Sequence, residues 1–143
     1  IKLPMLPLEL VLKEVINYPL LIENGVLSIM VAHIAIENNP TYSTNGLPST
    51  CSKKIVSSLL RDSLNFKGII VTDAMGMGGV VKVPNSSVKA IEAGCDILLM
   101  PVDARKAHKE IWDEFKNGSD AFRNTVIESA KRIIRMKVCL GLI

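Results

Sequence analysis

Hydrophobic and polar positions divide the first half of this chain into stretches with two different patterns. Residues 8–16 and 52–64 place apolar side chains three and four positions apart, the spacing that gives an amphipathic helix one buried face. Residues 26–36 and 69–72 instead form continuous apolar runs, partly or wholly β-branched, which are typical of strands buried on both faces. The pattern therefore predicts helix, strand, helix and strand in this order.

Turn residues indicate where these elements end. A Tyr-Pro pair at residues 18–19 predicts a kink or break in the first helix, and Gly25 is placed to end the helical turn that follows. Residues 37–48 (ENNPTYSTNGLP) predict a loop, which is long for a plain connection and so a candidate for building a site. Ser49 or Thr50 then lies where a side-chain cap of the next helix is expected.

The second half of the chain repeats the alternation. Residues 84–86 (Pro-Asn-Ser) predict the start of a short helix that Gly94 ends, and residues 95–100 (CDILLM) predict a third buried strand. Helices that alternate with continuous apolar strands indicate right-handed βαβ units and a parallel sheet. Three strands are too few for a closed eight-stranded barrel, so the expected α/β fold is an incomplete barrel or a small open sheet.

Two longer helices complete the predicted order. Asp103 is placed to cap a helix over residues 104–116, and a last helix is expected over residues 120–140. The apolar side chains expected to face inward in these helices are Ala107, Ile111, Trp112, Phe115, Phe122, Val126, Ile127, Ile133, Ile134 and Val138. The basic residues between them in the last helix are interpreted as a solvated face, namely Arg123, Lys131, Arg132, Arg135 and Lys137.

Composition and charge exclude several classes of protein. With 143 residues, of which 48% are hydrophobic and 4% aromatic, the chain suits one domain with a layered α/β core. Its net charge of +3 is spread along the helices, which gives no indication of nucleic-acid binding. Cys51, Cys95 and Cys139 are far apart and have no metal-ligand spacing, so free thiols are expected. No apolar run reaches the ~18 residues of a membrane span.

Asp73 is the main candidate for chemistry because it directly follows the buried run at residues 69–72. The carboxyl end of a strand is the functional end in parallel sheets and in α/β barrels. Glycines at 76, 78 and 79 follow, but they do not complete G-x-G-x-x-G and no Lys-Ser/Thr pair succeeds them, so this loop is not expected to cradle a phosphate. The alternative role for Asp73 is structural, as the cap of the next helix or in an Asx-turn.

Four segments carry a resemblance to a known family. They are SIMVAHI at residues 28–34, LPSTCSKKIVSSLLRDSLNFKGIIVTDAMGMGGV at 47–80, EAGCDILLMP at 92–101 and RIIRMKVCLGL at 132–142. In this order they resemble glycoside hydrolase family 3, and specifically its bacterial β-N-acetylglucosaminidase branch. The resemblance implies that residues 1–143 are a partial catalytic domain, comprising about strands six to eight, with their helices, of a (β/α)₈ TIM barrel.

The resemblance also implies a reaction and roles for three residues. It is that of a retaining exo-glycosidase, without metal or cofactor, which releases β-linked N-acetylglucosamine from peptidoglycan fragments. Asp73 matches the family's nucleophile in its TDA context and would form a covalent glycosyl-enzyme. Met77 matches a methionine that contacts the sugar, with loop packing as its alternative role. His33, at the end of strand six, is either a substrate-binding residue or a structural histidine of the barrel rim.

The chain departs from the family pattern in lacking a general acid. The branch it resembles uses a His-Asp pair in a loop after strand five, beside a Lys-His sugar-binding motif, and neither is present here. The histidines of the chain are His33 and His108, and His108 lies within the predicted helix over residues 104–116. We therefore expect the acid to come from upstream sequence and the chain alone to be inactive. The alternatives are a β-glucosidase of the same family and an inactive barrel segment that only associates with a partner.

The strand count and the start of the chain lead to two further expectations. Three barrel strands taken alone expose an apolar inner face and two unpaired edges, so we expect self-association or contact with the missing half of the barrel. No basic segment followed by an apolar one begins the chain, as it would in a signal peptide. Because the chain starts at Ile1 instead of Met, such a leader could have been removed, which leaves bacterial cytoplasm, periplasm and export open.

Overall fold

The computed structural model describes residues 13–143, and its elements follow most of the predicted order. The helices are α1 (Tyr18–Glu23), α2 (Ser86–Ala93), α3 (Ala104–Asn117) and α4 (Asp120–Cys139). The strands are β1 (Ser28–Val31) and β2 (Ile69–Thr72), and between them lie a 3-10 turn (Ser49–Cys51) and a π-helix (Lys54–Ser63). The alternation of helix and strand is confirmed, while the lengths of several elements differ from those predicted.

The sheet is parallel, as predicted. β1 and β2 pair in register, with Ser28 opposite Ile69 and Val31 opposite Thr72. The predicted strand over residues 26–36 is thus confirmed only in its middle, because the chain leaves the sheet after Val31. Parallel strands joined by a helical crossover form the βαβ unit that the sequence pattern predicts.

The predicted third strand over residues 95–100 is wrong as a full strand. It runs beside β2 but forms a single parallel bridge, between Val71 and Ile97. Side chains replace the backbone ladder on both sides of this bridge. The Ile70 N–H donates to the Asp96 carboxylate at 2.8 Å, and the Leu99 N–H donates to the hydroxyl of Thr72 at 3.0 Å. Two backbone bonds belong to the bridge itself, from the N–H of Thr72 to the carbonyl oxygen of Ile97 at 3.0 Å and from the N–H of Ile97 to that of Ile70 at 3.3 Å. The segment is therefore held in a strand's position by one sheet-like bridge and by side-chain hydrogen bonds beside it.

The core lies between one face of this sheet and the helices. Its members come from β1, β2, the π-helix, α2 and the loops between them, and they include Ile29, Val31, Ile70, Ile55, Val56, Leu59, Leu60, Phe66, Ala90 and Cys95. Alternate strand positions point the other way, where Met30 is 54% exposed and Val71 and Ile97 are only partly buried. One face of the sheet is covered and the other is open.

The predicted interruption of the first helix is present, but it lies just before the Tyr-Pro pair, since residues 13–14 are helical and residues 15–17 form turns. α1 begins at Tyr18 with Pro19 in its first turn, so the proline starts a helix, which its fixed φ and missing N–H allow. Gly25 adopts a φ of +82° directly after the cap residue Asn24, as expected for a glycine that ends a helix. The earlier part of the predicted helix, at residues 8–12, lies outside the described residues.

The predicted helix over residues 52–64 is present, but it forms as a π-helix after a 3-10 turn. Neither Ser49 nor Thr50 caps it through a side chain, so that prediction was wrong. Its apolar face is buried as expected, with Ile55, Val56, Leu59 and Leu60 in the core. The sequence pattern therefore predicted which side is buried, although the hydrogen bonding of the helix differs from that of an α-helix.

The later helices begin and end close to where the sequence predicts. Gly94 follows α2 with a φ of +111°, and the carboxylate of Asp103 caps α3 by accepting the Lys106 N–H at 2.9 Å.

None of the helices within residues 13–143 combines the length and apolarity needed to cross a bilayer. All three cysteines are free, as predicted, with Cys51 and Cys95 buried and Cys139 exposed.

The two last helices bury less than predicted. Trp112 is 50% exposed and stacks on Phe115, with the ring centroids 5.6 Å apart. Ile127, Ile134 and Val138 are exposed as well. An apolar stripe shows which side chains can be buried, but burial also needs a facing surface, and the described residues provide none for these positions.

The interpretation of the basic residues of α4 as a solvated face is wrong at two positions. Arg123 donates to the carbonyl oxygen of Gly118 at 2.8 Å and so binds the end of the preceding helix. Arg132 forms an ion pair with the fully buried side chain of Asp96. Long side chains on an amphipathic helix can reach beside its apolar face and bind polar groups there.

Candidate active site

The backbone on both sides of Asp73 is fixed by hydrogen bonds. Its N–H donates to the carbonyl oxygen of Val31 at 2.9 Å, and the N–H of Met75 donates to that of Leu99 at 2.8 Å. These bonds tie the segment after β2 to β1 on one side and to the third segment on the other. Because side chains alternate along a strand, Asp73 lies on the same face as Val71, the open face of the sheet. The carboxylate is thus presented at the carboxyl end of the central strand.

The two carboxylate oxygens of Asp73 differ in their contacts. Oδ1 accepts the N–H of Ala74 at 2.7 Å, whereas Oδ2 has no hydrogen-bond partner within residues 13–143. Asp73 also forms no ion pair with any described residue. It does not cap a helix, since α2 begins only at Ser86, and its bond to the next residue is not the i+2 bond of an Asx-turn. One oxygen is held in place and the other is available.

His33 supports the turn that follows Asp73. Its Nδ1 lies 2.8 Å from the hydroxyl of Thr50, and its Nε2 lies 3.0 Å from the carbonyl oxygen of Ala74. A carbonyl oxygen only accepts, so Nε2 carries the hydrogen and donates it. His33 is buried, and both ring nitrogens are engaged inside the protein. This geometry favours the structural interpretation of His33, in which it positions Asp73 through Ala74.

Met77 lies in the tight turn beyond Asp73. Its N–H also donates to the carbonyl oxygen of Ala74, at 3.0 Å, and its side chain is 47% exposed. Gly79 closes the turn against His33, since a Cβ at that position would lie 2.8 Å from the His33 carbonyl oxygen. The turn therefore requires a glycine there for a close backbone approach. The structure brings Asp73, His33 and Met77 together around Ala74, whose N–H binds the Asp73 carboxylate and whose carbonyl oxygen binds the other two residues.

Sequence reasoning missed several residues at this end of the sheet. Thr50 and Thr72 are fully buried, and their hydroxyls bind His33 and the Leu99 N–H respectively. The polar residue at the end of an apolar strand was the available signal for Thr72. Val102 is exposed and packs over Gly76, where an added Cβ would lie 3.6 Å from its Cγ2. Nothing in the spacing of Val102 indicates that contact.

A second carboxylate, that of the buried residue Asp96, lies toward the amino end of the sheet. Its Oδ2 accepts from Nη2 of Arg61 at 2.5 Å and from the N–H of Ile70 at 2.8 Å, and its Oδ1 accepts from Nε of Arg132 at 2.8 Å. Burial lowers the pKa of the Arg61 guanidinium, and the charge of Asp96 opposes that shift. Both oxygens of Asp96 are engaged, so this cluster is a structural ion network. The signal in the sequence was a single acid within an apolar run.

Neither a role for His108 nor a metal site finds support within residues 13–143. His108 is exposed on α3 and is not part of the Asp73 turn. No group of three or more histidine, cysteine, aspartate or glutamate side chains in this part of the chain is arranged to hold a metal ion. Asp73 and its turn are therefore the candidate active site of the described structure.

Comparison with known sequences gives a family match and curated relatives. The family model described as "Glycosyl hydrolase family 3 N terminal domain" matches residues 3–136. A curated protein of Cellulomonas fimi named "Beta-N-acetylglucosaminidase/beta-glucosidase" is 32% identical, over 87% of this chain and 24% of its own length. The match thus extends over most of the chain but over only about a quarter of that relative.

Two solved structures that this chain resembles are likewise covered over only about a quarter of their length. The structure titled "Beta-glucoside phosphorylase BglX bound to 2FGlc" aligns with a TM-score of 0.85 and 25% identity, over 99% of this chain and 27% of that one. A glycoside hydrolase family 3 beta-N-acetylglucosaminidase from Paenibacillus sp. str. FPU-7 aligns with a TM-score of 0.74 and 27% identity, over 95% of this chain and 27% of that one. Both solved structures are several times longer than the chain.

Proposed function

The chain belongs to glycosyl hydrolase family 3 through its TIM-barrel-like N-terminal domain, and we propose that it carries the nucleophile of a retaining exo-glycosidase. Its homologues are glycoside hydrolases, including several named as beta-hexosaminidases. The observation that carries the proposal is the position of Asp73. Its carboxylate stands at the carboxyl end of the central strand, on the open face of the sheet, and has one oxygen without a partner among the described residues.

We assign β1, β2 and the third segment to strands six to eight of the barrel, with residues 1–143 as a partial catalytic domain. The parallel order supports this assignment, since every strand of such a barrel runs the same way. The two faces of the sheet support it too. Helices cover one face, and the open face that carries Met30 and Val71 corresponds to the inside of a barrel whose other strands are absent.

In the proposed reaction, Oδ2 of Asp73 attacks the anomeric carbon while a second group protonates the leaving oxygen and the glycosidic bond breaks. Water then attacks the anomeric carbon of the glycosyl-enzyme, gives its proton to that second group, and releases the Asp73 carboxylate. The Ala74 N–H orients the nucleophile through Oδ1 before the sugar binds. Preorganisation of this kind removes part of the entropic barrier.

The proton donor is not among the described histidines. His33 uses both ring nitrogens inside the protein, and His108 is exposed on α3. Retaining enzymes of the usual type hold the acid about 5–5.5 Å from the nucleophile. We therefore propose that the acid belongs to a part of the protein outside these 143 residues, and that the chain alone hydrolyses nothing.

The proposed substrate is β-linked N-acetylglucosamine, as found in peptidoglycan fragments. It is supported by the names of the Cellulomonas fimi and Paenibacillus proteins, which are β-N-acetylglucosaminidases. Met77, half-exposed beside the Asp73 turn, is proposed to contact the sugar, and His33 to bind it or to position Asp73. A β-glucosidase is the second candidate, favoured by the double name of the Cellulomonas fimi protein and by the likeness to a beta-glucoside phosphorylase.

Covalent trapping tests the proposed nucleophile. A fluorosugar of N-acetylglucosamine with a good leaving group should label the complete protein. The fluorine slows both the formation and the hydrolysis of the glycosyl-enzyme, and the good leaving group restores the rate of formation alone, so the covalent intermediate accumulates. We expect mass spectrometry to place the sugar on the peptide that contains Asp73. Preferential labelling by the glucose analogue would select the β-glucosidase, and labelling of another residue would exclude Asp73 as the nucleophile.

The open face also predicts how the 143-residue chain behaves alone. Beside β1 lies a mainly apolar cavity of about 480 Å³, lined by Ile29 and Val31 from the covered side of the strand, by Met30 from the open side, and by Val15 and Tyr18. At roughly 25 cal/mol per Å², several hundred Å² of open apolar surface forfeits on the order of 10 kcal/mol. We therefore expect self-association, unless the rest of the barrel covers this face.

Light scattering of the isolated chain tests that expectation. Met30→Lys, on the open face, should weaken association, whereas Leu140→Lys should not, although the two side chains are almost equally exposed at 54% and 53%. A folded monomer at low concentration would contradict the expectation. Glycoside turnover by the isolated chain that disappears in Asp73→Asn would contradict its proposed inactivity.

A further inference from the structure

A second cleft opens beside the Asp73 turn, at the same edge of the sheet. Its volume is about 570 Å³, and its walls include Met75, Lys82, Ser87 and Val102. The loops that lead into α2 and α3 bound this cleft, so both helices begin at its rim. Met75 is two residues beyond Asp73, which keeps their Cα atoms within about 7 Å of each other. The cleft is therefore a neighbour of the candidate active site.

Ser87 lies in the first turn of α2 and faces this cleft. The residue is only 8% exposed, and its hydroxyl has no hydrogen-bond partner within residues 13–143. Every fully enclosed side-chain nitrogen or oxygen in the described part of the chain has a partner. The Ser87 hydroxyl is consequently not enclosed but reached from the cleft. A nearly buried hydroxyl that is open only to a cleft is suited to bind a ligand there.

The charges around Ser87 favour an anion. The N-terminus of α2 has no side-chain cap and no acidic residue in its first turn, so its N–H groups and the positive end of its dipole are uncompensated. Lys82 forms no ion pair in the described structure. The cleft also contains two acids, each beside a donor group: Oδ1 of Asp103 accepts the N–H of Lys106 at the start of α3, and Glu110 lies 3.9 Å from the ammonium of Lys106.

We propose that this cleft binds an oxyanion, a phosphate or a carboxylate, through the Ser87 hydroxyl, the first N–H groups of α2 and the ammonium of Lys82. Serine hydroxyls, helix N-termini and ammonium groups all donate hydrogen bonds to such anions. The anion has two sources, free inorganic phosphate or an acidic group on the leaving side of the glycoside. The second source rests on the proposed function, whereas the first does not.

Titration of inorganic phosphate into the complete protein at constant ionic strength tests the site itself. Calorimetry should show binding that Lys82→Ala and Ser87→Ala each weaken about tenfold, the loss expected for one charge-assisted or one buried hydrogen bond. Lys54→Ala is the matched control, because Lys54 is an exposed lysine of the π-helix without an ion pair in the described residues. Absence of phosphate binding, or equal affinity in all four proteins, would overturn the proposal.

Phosphate binding does not require turnover, so this result is independent of the proposed glycosidase. The source of the anion is identified by comparing KM for two aryl glycosides. One carries a carboxylate on its leaving group, and the other carries the neutral amide at the same position. If the cleft holds the leaving group, Lys82→Ala should raise KM about tenfold for the carboxylate substrate alone, and phosphate should compete with it. Equal KM values in a protein that binds phosphate assign the site to free phosphate.

Discussion

Asp73 and Asp96 occupy opposite ends of the same small sheet, and their surroundings differ in what they leave free. Asp96 is fully buried, with both oxygens bound by two arginines and a backbone N–H. Asp73 is partly exposed, bound through one oxygen by its neighbour's N–H, and without an ion pair in the described structure. A buried carboxylate between cations maintains the fold, whereas a carboxylate with an open oxygen can react. The contrast shows that environment, and not residue type, assigns the role.

Asp73→Asn should produce the largest effect, and only on catalysis. Turnover of a chromogenic β-N-acetylglucosaminide by the complete protein should fall roughly 10⁴-fold, because an amide cannot serve as the nucleophile. The melting temperature should not change, since the amide oxygen can still accept the Ala74 N–H. Assay and thermal melting of the same preparation check both statements. Undiminished turnover would remove Asp73 from its proposed role.

Asp96→Asn should give the opposite result, a loss of stability with little effect on the chemistry of the folded protein. Removing the shared anion leaves Arg61 and Arg132 as partly buried cations without their partner, a change that typically costs about 3 kcal/mol. Urea unfolding of the complete protein measures it. Asp62→Asn is the control, because Asp62 is exposed on the π-helix and has no ion pair within residues 13–143. Equal stability of the two variants would show that the buried network is not needed.

His33→Ala should have an intermediate effect that separates the two interpretations of this histidine. It removes the bonds to Thr50 and Ala74, which together contribute about 1–3 kcal/mol. If His33 is structural, Thr50→Val should reproduce part of the stability loss, and kcat/KM should change less than stability. A large fall in kcat with unchanged melting would instead establish His33 as a residue of the site.

Glu92→Gln should have the smallest effect and so complete the comparison of carboxylates. Glu92 pairs with Lys53 at 3.1 Å, but both side chains are at least half exposed. Exposed pairs contribute about 0.2–1 kcal/mol at most, because water and salt screen them. Urea unfolding should therefore place this variant within about 0.5 kcal/mol of the unchanged protein. A loss as large as that of Asp96→Asn would show that burial does not separate these two carboxylates.

The position of Asp73 was predictable because it depends on local order, an apolar strand followed directly by an acid. The Asp96 network was not, because Arg61 and Arg132 approach it from 35 and 36 residues away in sequence. No local spacing contains that information, and only the acid within the apolar run at residues 95–100 indicated a buried charge.

The π-helix was missed for a different reason. Its buried residues Ile55, Val56, Leu59 and Leu60 are one and four positions apart, a spacing that lies on one face of an α-helix and of a π-helix alike. The third strand was predicted as a full strand because its apolarity is that of a strand. Whether it forms a full ladder depends on the hydrogen bonds of the Ile70 and Leu99 N–H groups, which go to side chains instead. The apolar run at residues 95–100 does not reveal these partners.

The bonds that hold Asp73 in place also bear on how far this sequence can diverge. The segment is fixed by the carbonyl oxygens of Val31 and Leu99, which are backbone groups that every residue type supplies. Exchange of either side chain for another that suits the sheet should leave these anchors intact. Many neighbouring residues can therefore be substituted during evolution without moving the carboxylate. Low identity between two such chains is thus compatible with an unchanged geometry at the reactive carboxylate.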